Sequence, residues 1–110
     1  MKLYARDFNL RLDTVADAMD ALSLGTPGCI FTEDTLHPDF FDLTNGLAGD
    51  IFQKFTNYHF CAAFLLQDFD TYSPRIRELS LDHRNHRCVR LFEEPSQAEA
   101  WISSLLQAQQ

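Results

Sequence analysis

Apolar residues along the chain follow two spacings, and their alternation predicts an α/β fold. Nearly continuous apolar runs, typical of strands covered on both faces, occupy residues 29–32, 58–66 and 88–92. Around these runs, apolar positions three and four residues apart predict four helices. A weaker alternation over residues 2–12 predicts one strand before the first helix. This order predicts a mainly parallel sheet of about four strands, with helices packed on its faces.

The third and fourth helices carry recognisable start patterns. Ser73 can cap the third helix, with Pro74 at the first helical position, which is a favourable pairing. Ser96 can cap the fourth helix, and Glu99 three residues later would complete a capping box.

The second helix carries two glycines in its first turns, Gly46 and Gly49. A glycine inside a helix costs about 1 kcal/mol relative to alanine, so it calls for a packing or backbone reason. We expect these small residues to let the helix pack close to the sheet, and Thr44 or Asn45 to cap it. An alternative is that the free N–H groups at this helix start receive an anion.

The composition is that of one globular domain spanning residues 1–110. With 45% hydrophobic residues and ten phenylalanines, the chain can build a single core. Its formal net charge of −7 disfavours binding to nucleic acid or to an anionic membrane, because both require a basic face. No apolar run approaches the roughly 20 residues of a membrane span, and no signal-peptide pattern follows the first residues. We therefore expect a cytoplasmic protein.

Cysteine and histidine offer little chemistry. Cys29, Cys61 and Cys88 lie in apolar runs and are expected to be buried free thiols. His83, His86 and Cys88 form an H-x-x-H-x-C pattern of side chains that can bind zinc. Zinc needs a fourth ligand in fixed geometry, and histidine near a helix C-terminus is favourable in itself, so we expect no metal site.

Candidate binding residues follow the predicted central strands. In open α/β sheets, ligands bind beyond the carboxyl ends of the strands. The residues expected at this edge to bind a ligand or a partner are Asp39, Phe40, Phe41, Asp42, Thr44, Asn45, Asp68 and Tyr72. The two phenylalanines either fold back over the core or, where exposed, anchor a protein partner.

The sequence gives weak grounds for catalysis. Asp39, Asp42 and Asp68 could hold Mg²⁺ for phosphate chemistry, which would make a metal-dependent hydrolase. However, the sequence has no glycine-rich phosphate loop, no Gly-x-Ser-x-Gly motif and no catalytic Cys–His signature. The patterns therefore favour a non-enzymatic protein without cofactor, metal or catalytic residues.

Several strings together resemble a bacterial family, the domain of unknown function 4180. They are GCIFTE at 28–33, HPDFFDL at 37–43, GLAG at 46–49, QKFTNY at 53–58 and AEAW at 98–101. The resemblance covers about residues 13–103, and the order of elements is also similar to the STAS-like (SpoIIAA-like) fold.

The resemblance carries two further implications. The family usually opens with a β-hairpin, whereas this chain is expected to begin within the second strand of that hairpin. The sheet would then lack one edge strand and leave backbone groups open for pairing. STAS regulators are controlled by phosphorylation at the start of an equivalent helix, which implies Thr44 as the nearest candidate, although its flanking residues do not match.

Together these patterns predict a cytoplasmic regulatory or interaction module that acts by protein–protein contact. The expected contact surfaces are the loop of residues 39–45 and the N-terminal edge of the sheet. The partner would be another protein or a second copy in a homodimer. The alternative is a small-molecule or anion-binding domain at the carboxyl edge around Asn45, Asp68 and Tyr72.

Overall fold

Three parallel strands form the centre of the molecule in the computed structural model, which describes residues 3–108. The strands are β1 (Gly28–Thr32), β2 (Cys61–Leu65) and β3 (Val89–Phe92), and they lie in the order β1-β2-β3. In this register Ile30 is opposite Ala63, and Ala63 is opposite Arg90. The α/β prediction is confirmed, with three strands where about four were predicted.

The strand predicted over residues 2–12 is wrong for the described part of that segment, residues 3–12. Ala5–Phe8 forms a 3-10 helix, and only isolated parallel bridges join Tyr4 to Ile30 and Leu12 to Leu36. Asn9 ends the turn in the left-handed region (φ 56°), a conformation that asparagine tolerates. Local bonds such as Leu10 N–H to the Ala5 carbonyl (3.1 Å) therefore replace strand pairing. The alternation that predicted a strand instead reflects a turn that begins with the buried Ala5 and is followed by the buried Leu10 and Leu12.

Four α-helices accompany the strands in the predicted order. They are α1 (Asp17–Leu22), α2 (Leu47–Asn57), α3 (Pro74–Asp82) and α4 (Pro95–Ala108). Helices α1, α2 and α3 pack on one face of the sheet, while α4 packs on the other, against Ile30 and Ala63. The sheet is thus covered on both faces, which explains the continuous apolar runs in its strands.

Phenylalanines fill the larger core, on the face that α1 to α3 cover. The Phe64 ring lies 5.3 Å from Phe31 and 4.9 Å from Phe40, in stacked arrangements. All three rings are fully buried. Aromatic rings bury the largest apolar areas of any side chain, so this cluster dominates the stability of the fold.

The three cysteines are free and buried, as predicted. Burial raises the pKa of Cys29 to about 12. Burial, and then the neighbouring Cys88, raises the pKa of Cys61 to about 11. Thiols with raised pKa values are poor nucleophiles, so Cys29 and Cys61 act as core residues.

The predicted helix starts are confirmed in one case and wrong in the other. Ser73 is the N-cap residue of α3, although its side chain makes no capping hydrogen bond, and Pro74 begins the helix. Helix α4 begins at Pro95, so Ser96 lies inside its first turn. The Glu99 carboxylate accepts a hydrogen bond from the Tyr4 hydroxyl, so the Glu99 side chain binds the N-terminal segment. Within residues 3–108, none of the helices combines the length and the apolar composition that a membrane span requires.

Candidate functional site

The loop between β1 and α2 is shaped by its own polar side chains. Pro38–Phe41 forms a 3-10 helix, and the Asp39 N–H donates to His37 Nδ1 at 3.0 Å. Asn45 Nδ2 donates to the Asp39 carbonyl at 3.0 Å, while Asn45 Oδ1 accepts from the Leu47 N–H at 2.9 Å. One amide thus closes the loop and satisfies the N–H of Leu47, the first residue of α2. The N-cap residue is Gly46, so the prediction that Thr44 or Asn45 caps this helix was wrong.

Asp42 and Thr44 form a second local bond in the same loop. Asp42 Oδ1 accepts from the Thr44 hydroxyl at 2.6 Å and from the Thr44 N–H at 3.0 Å. These hydrogen bonds, the hydroxyl bond first, lower the pKa of the Asp42 carboxyl. A phosphate on Thr44 would lose this hydroxyl bond and meet the Asp42 carboxylate, so its electrostatic gain from the helix would be opposed.

The two phenylalanines of the loop have different environments. Phe40 is fully buried and packs on Phe52 and Phe64, so it belongs to the core. Phe41 is half-buried, and its ring stacks on Tyr72 with centroids 4.1 Å apart and planes 5° apart. Of the two rings, only Phe41 remains available at the surface, where it joins this loop to the loop after β2.

The loop after β2 is held by an ion-pair network that the sequence did not predict. Asp68 Oδ1 accepts from the Asp70 N–H at 2.9 Å and so caps the short 3-10 helix Phe69–Thr71. Arg77 Nε lies 2.8 Å from Asp70 Oδ1, and Arg77 Nη2 lies 3.0 Å from Glu93 Oε2. The Arg77 hydrogen bond lowers the pKa of Asp70. Because these side chains are partly or fully exposed, the network positions the loop and contributes little stability.

The predicted acidic residues do not converge on one point. Asp39 and Asp42 make their hydrogen bonds within the first loop, and Asp68 makes its bond within the second. Among residues 3–108, no group of three or more His, Cys, Asp or Glu side chains could hold a metal ion. The structure therefore gives no support to a metal-dependent hydrolase built on these aspartates.

A solvent-open cavity of about 520 Å³ lies at the carboxyl ends of the strands. Its lining is formed by Thr32, Glu33, Asp34, Leu65, Gln67, Glu93 and Pro95. Glu33 Oε1 accepts from the Gln67 N–H at 2.9 Å, which links the two loops at the floor of the cavity. Three carboxylates would repel an anion in this cavity, and its described lining includes none of Asn45, Asp68 and Tyr72.

An apolar groove lies between α2 and α3, next to the loop of residues 39–45. Its walls are formed by Leu43, Gly46, Ala48, Gly49, Phe52 and Leu79, which enclose about 190 Å³. A second hollow of about 200 Å³ continues from Leu43 and Leu79 toward Arg75, Glu78 and Asp82. We call this continuous surface the α2–α3 groove.

The glycines of α2 do not pack against the sheet, so that prediction was wrong. A Cβ atom added at Gly46 or Gly49 would meet no atom within 4 Å. The backbone conformation explains the glycine at position 46, because this residue lies in the left-handed region at φ 82°. Gly49 has a negative φ and an open environment, and it leaves the floor of the α2–α3 groove free of a side chain.

The fold and its two loops define a small α/β protein with a three-stranded parallel sheet. The family model for a domain of unknown function, DUF4180, matches residues 5–102, and the chain belongs to that family. No curated protein and no solved structure matches the chain. The similarity to the STAS-like fold stays a prediction.

Proposed function

We propose that the protein is a cytoplasmic regulatory module that acts by binding another protein in the α2–α3 groove and on the adjoining loop of residues 39–45. The observation that carries this proposal is the open groove itself. Three free cysteines fit a reducing compartment such as the cytoplasm.

Gly49 is the first argument for a binding role of the groove. Gly49 is the third residue of α2, where glycine costs up to about 1 kcal/mol relative to alanine. Neither backbone strain nor a close neighbour requires glycine at this position. The residue does leave room between Leu43, Phe52 and Leu79, where an apolar side chain of a partner can enter.

The surroundings of the groove favour a basic amphipathic segment as the occupant. Glu78 and Asp82 line the outer hollow, where Arg75 is the one cation among the described lining residues, and Asp39 and Asp42 are exposed on the adjoining loop. Carboxylates around an apolar groove attract a segment whose apolar face is flanked by Lys or Arg. A second copy of this chain is a poorer occupant, because two molecules with a net charge of −7 repel each other.

The Phe41–Tyr72 stack extends the proposed surface. Both rings are half-buried, so each keeps an exposed area, and Phe41 lies on the same loop as Leu43, one of the two residues that line both parts of the groove. Aromatic side chains contribute much of the binding energy of protein interfaces, and a pre-stacked pair loses little conformational entropy on binding.

A comparative capture experiment tests the proposal. Wild-type protein, Gly49→Leu and Gln97→Leu serve as baits in cell extract, followed by quantitative mass spectrometry. Gln97 is exposed on α4, on the opposite face of the sheet, so Gln97→Leu adds the same side chain away from the groove. We expect a partner retained by wild type and Gln97→Leu but lost with Gly49→Leu.

The captured protein is then tested as a purified ligand. A synthetic peptide covering its basic amphipathic segment should bind wild type with an affinity that falls as salt rises. Equal capture by all three baits, or a peptide affinity that is the same for Gly49→Leu and wild type, would overturn the proposal.

A further inference from the structure

Strand β3 is an outer strand of the three-stranded sheet, and half of its backbone groups face away from β2. The Ala62 N–H donates to the Cys88 carbonyl at 2.7 Å, and the Leu66 N–H donates to the Phe92 carbonyl at 2.9 Å. Because these groups face β2, the backbone groups of Val89 face outward. An outward-facing edge of this kind would ordinarily pair with water or with another strand.

Two histidines occupy these outward positions. His86 Nδ1 accepts hydrogen bonds from the N–H groups of Cys88 and Val89, both at 3.0 Å. His83 Nδ1 lies 3.1 Å from the Val89 carbonyl oxygen, and the two imidazole rings stack at 4.7 Å. The imidazoles therefore satisfy both the N–H and the C=O of Val89, as a neighbouring strand would.

These bonds fix the protonation of each ring nitrogen. A carbonyl oxygen can only accept, so His83 Nδ1 carries a hydrogen. Two N–H groups donate to His86 Nδ1, so that atom must be unprotonated. The bonds are compatible with either charge state of His83 but only with neutral His86.

The groups around His86 are two further imidazoles and two guanidinium groups. His83 stacks on its ring, and Arg90 Nε donates to the His86 carbonyl at 2.7 Å. His59 and Arg87 line the same cavity of about 410 Å³ as His86, and no carboxylate is among its described lining residues. Burial first, then His83 and Arg90, lower the pKa of His86.

We propose that His83 and His86 form an acid-sensitive cap on the outer edge of β3, which opens when His86 takes up a proton at Nδ1. The proton comes from solvent and forms one new N–H bond. That N–H then faces two backbone N–H donors, so both hydrogen bonds are lost. Acidity is thereby coupled to the exposure of the Cys88 and Val89 N–H groups at the start of the outer edge of β3, which neutral His86 covers.

The stability contribution of the cap has a defined sign. Because folding lowers the pKa of His86, the folded state favours its neutral form. The contribution is complete above the ordinary histidine pKa of about 6.5, and it is lost as pH falls through the lower pKa of the folded protein.

Nuclear magnetic resonance tests the cap in the full chain. The imidazole ¹⁵N shifts give the titration of each histidine, and hydrogen exchange gives the protection factors of the Cys88 and Val89 amides from pH 7.5 down through the observed titration of His86. His86→Asn keeps an acceptor oxygen near the Nδ1 position but does not titrate. His59→Asn is the matched control, since the His59 ring lines the same cavity without a hydrogen bond among residues 3–108.

We expect the protection of both amides to fall about tenfold with the titration of His86, as loss of about 1.4 kcal/mol of hydrogen bonding requires. The fall should persist in His59→Asn and be absent from His86→Asn. Amide protection that is independent of the His86 titration would overturn the proposal. A protonated His86 Nδ1 at pH 7.5 in the wild-type ¹⁵N spectrum would overturn it even if His86→Asn does not fold.

Discussion

The rings of Phe41 and Tyr72 lie face to face, 4.1 Å apart and within 5° of parallel, and they join the two loops at the carboxyl edge of the sheet. Phe40, the neighbour of Phe41 in sequence, meets the Phe41 ring edge to face, with centroids 5.6 Å apart, and is fully buried against Phe64. Two adjacent phenylalanines therefore have separate roles, one in the core and one at the surface.

Alanine substitutions should separate these roles. Phe40→Ala removes a buried ring and should lower the free energy of unfolding by roughly 3–5 kcal/mol, whereas Phe41→Ala should have a much smaller effect. A double-mutant cycle of Phe41→Ala with Tyr72→Ala should give a coupling of roughly 0.5–1.5 kcal/mol. Urea denaturation measures all of these values. Equal losses for the two single phenylalanine variants would contradict the assignment.

The effect of replacing a glycine by alanine on the free energy of unfolding should differ in sign along the chain. Gly49→Ala should raise the free energy of unfolding by up to about 1 kcal/mol, because the site is helical and open. Gly46→Ala should lower it by roughly 1–2 kcal/mol, because φ is 82° there. Gly28→Ala should disrupt the sheet, since its Cβ would collide with the Cys61 carbonyl oxygen across the β1–β2 pair.

Thermal melting of the three glycine variants checks this ranking. Destabilisation by Gly49→Ala would show that the helix packs there against something, and the argument for an open groove would fail.

The exposed carboxylates predict a second acid-sensitive contribution to the free energy of unfolding. Hydrogen bonds from Thr32, Thr44 and Arg77 lower the pKa values of Asp34, Asp42 and Asp70, respectively. Their contribution is present above the ordinary aspartate pKa of about 3.9 and is lost as pH falls through the lower values of the folded state. The urea midpoint should therefore fall as the solution is acidified below about pH 4.

Asparagine variants isolate this effect. Asp70→Asn should flatten the acid limb of the midpoint profile, while Asp50→Asn should leave it unchanged, because the Asp50 side chain makes no hydrogen bond among residues 3–108. Identical acid limbs in Asp70→Asn and wild type would rule out the proposed contribution of Asp70.

The Tyr4–Glu99 contact predicts a loss of stability in alkaline solution. Burial and the Glu99 hydrogen bond raise the pKa of Tyr4 to about 12. Its contribution to stability is complete below the ordinary tyrosine pKa of about 10 and is lost as pH rises through about 12. An ultraviolet titration should show a tyrosine that ionises at about pH 12, and this step should be absent from Tyr4→Phe. If Tyr4→Phe leaves the titration curve unchanged, Tyr4 is not that tyrosine.

The order of the central strands and helices could be predicted because their apolar patterns are local and unambiguous. The turn at Ala5–Phe8 could not, since its alternation of apolar residues is the same as that of a strand and only the tertiary contacts decide between them. Arg77 and Glu93 meet across 16 residues of sequence, and no local pattern indicates such a pair. The role of Gly49 depends on the empty space beside its Cα atom, which only the three-dimensional structure reveals.

The most direct test of the central claim is the affinity of the captured partner's basic segment for wild type, Gly49→Leu and Gln97→Leu, measured by fluorescence anisotropy beside a thermal melt of each protein. We predict that Gly49→Leu melts at or above the wild-type temperature yet binds at least tenfold more weakly, while Gln97→Leu binds as wild type does. Undiminished binding by a folded Gly49→Leu protein would contradict the proposal that the α2–α3 groove is the binding surface.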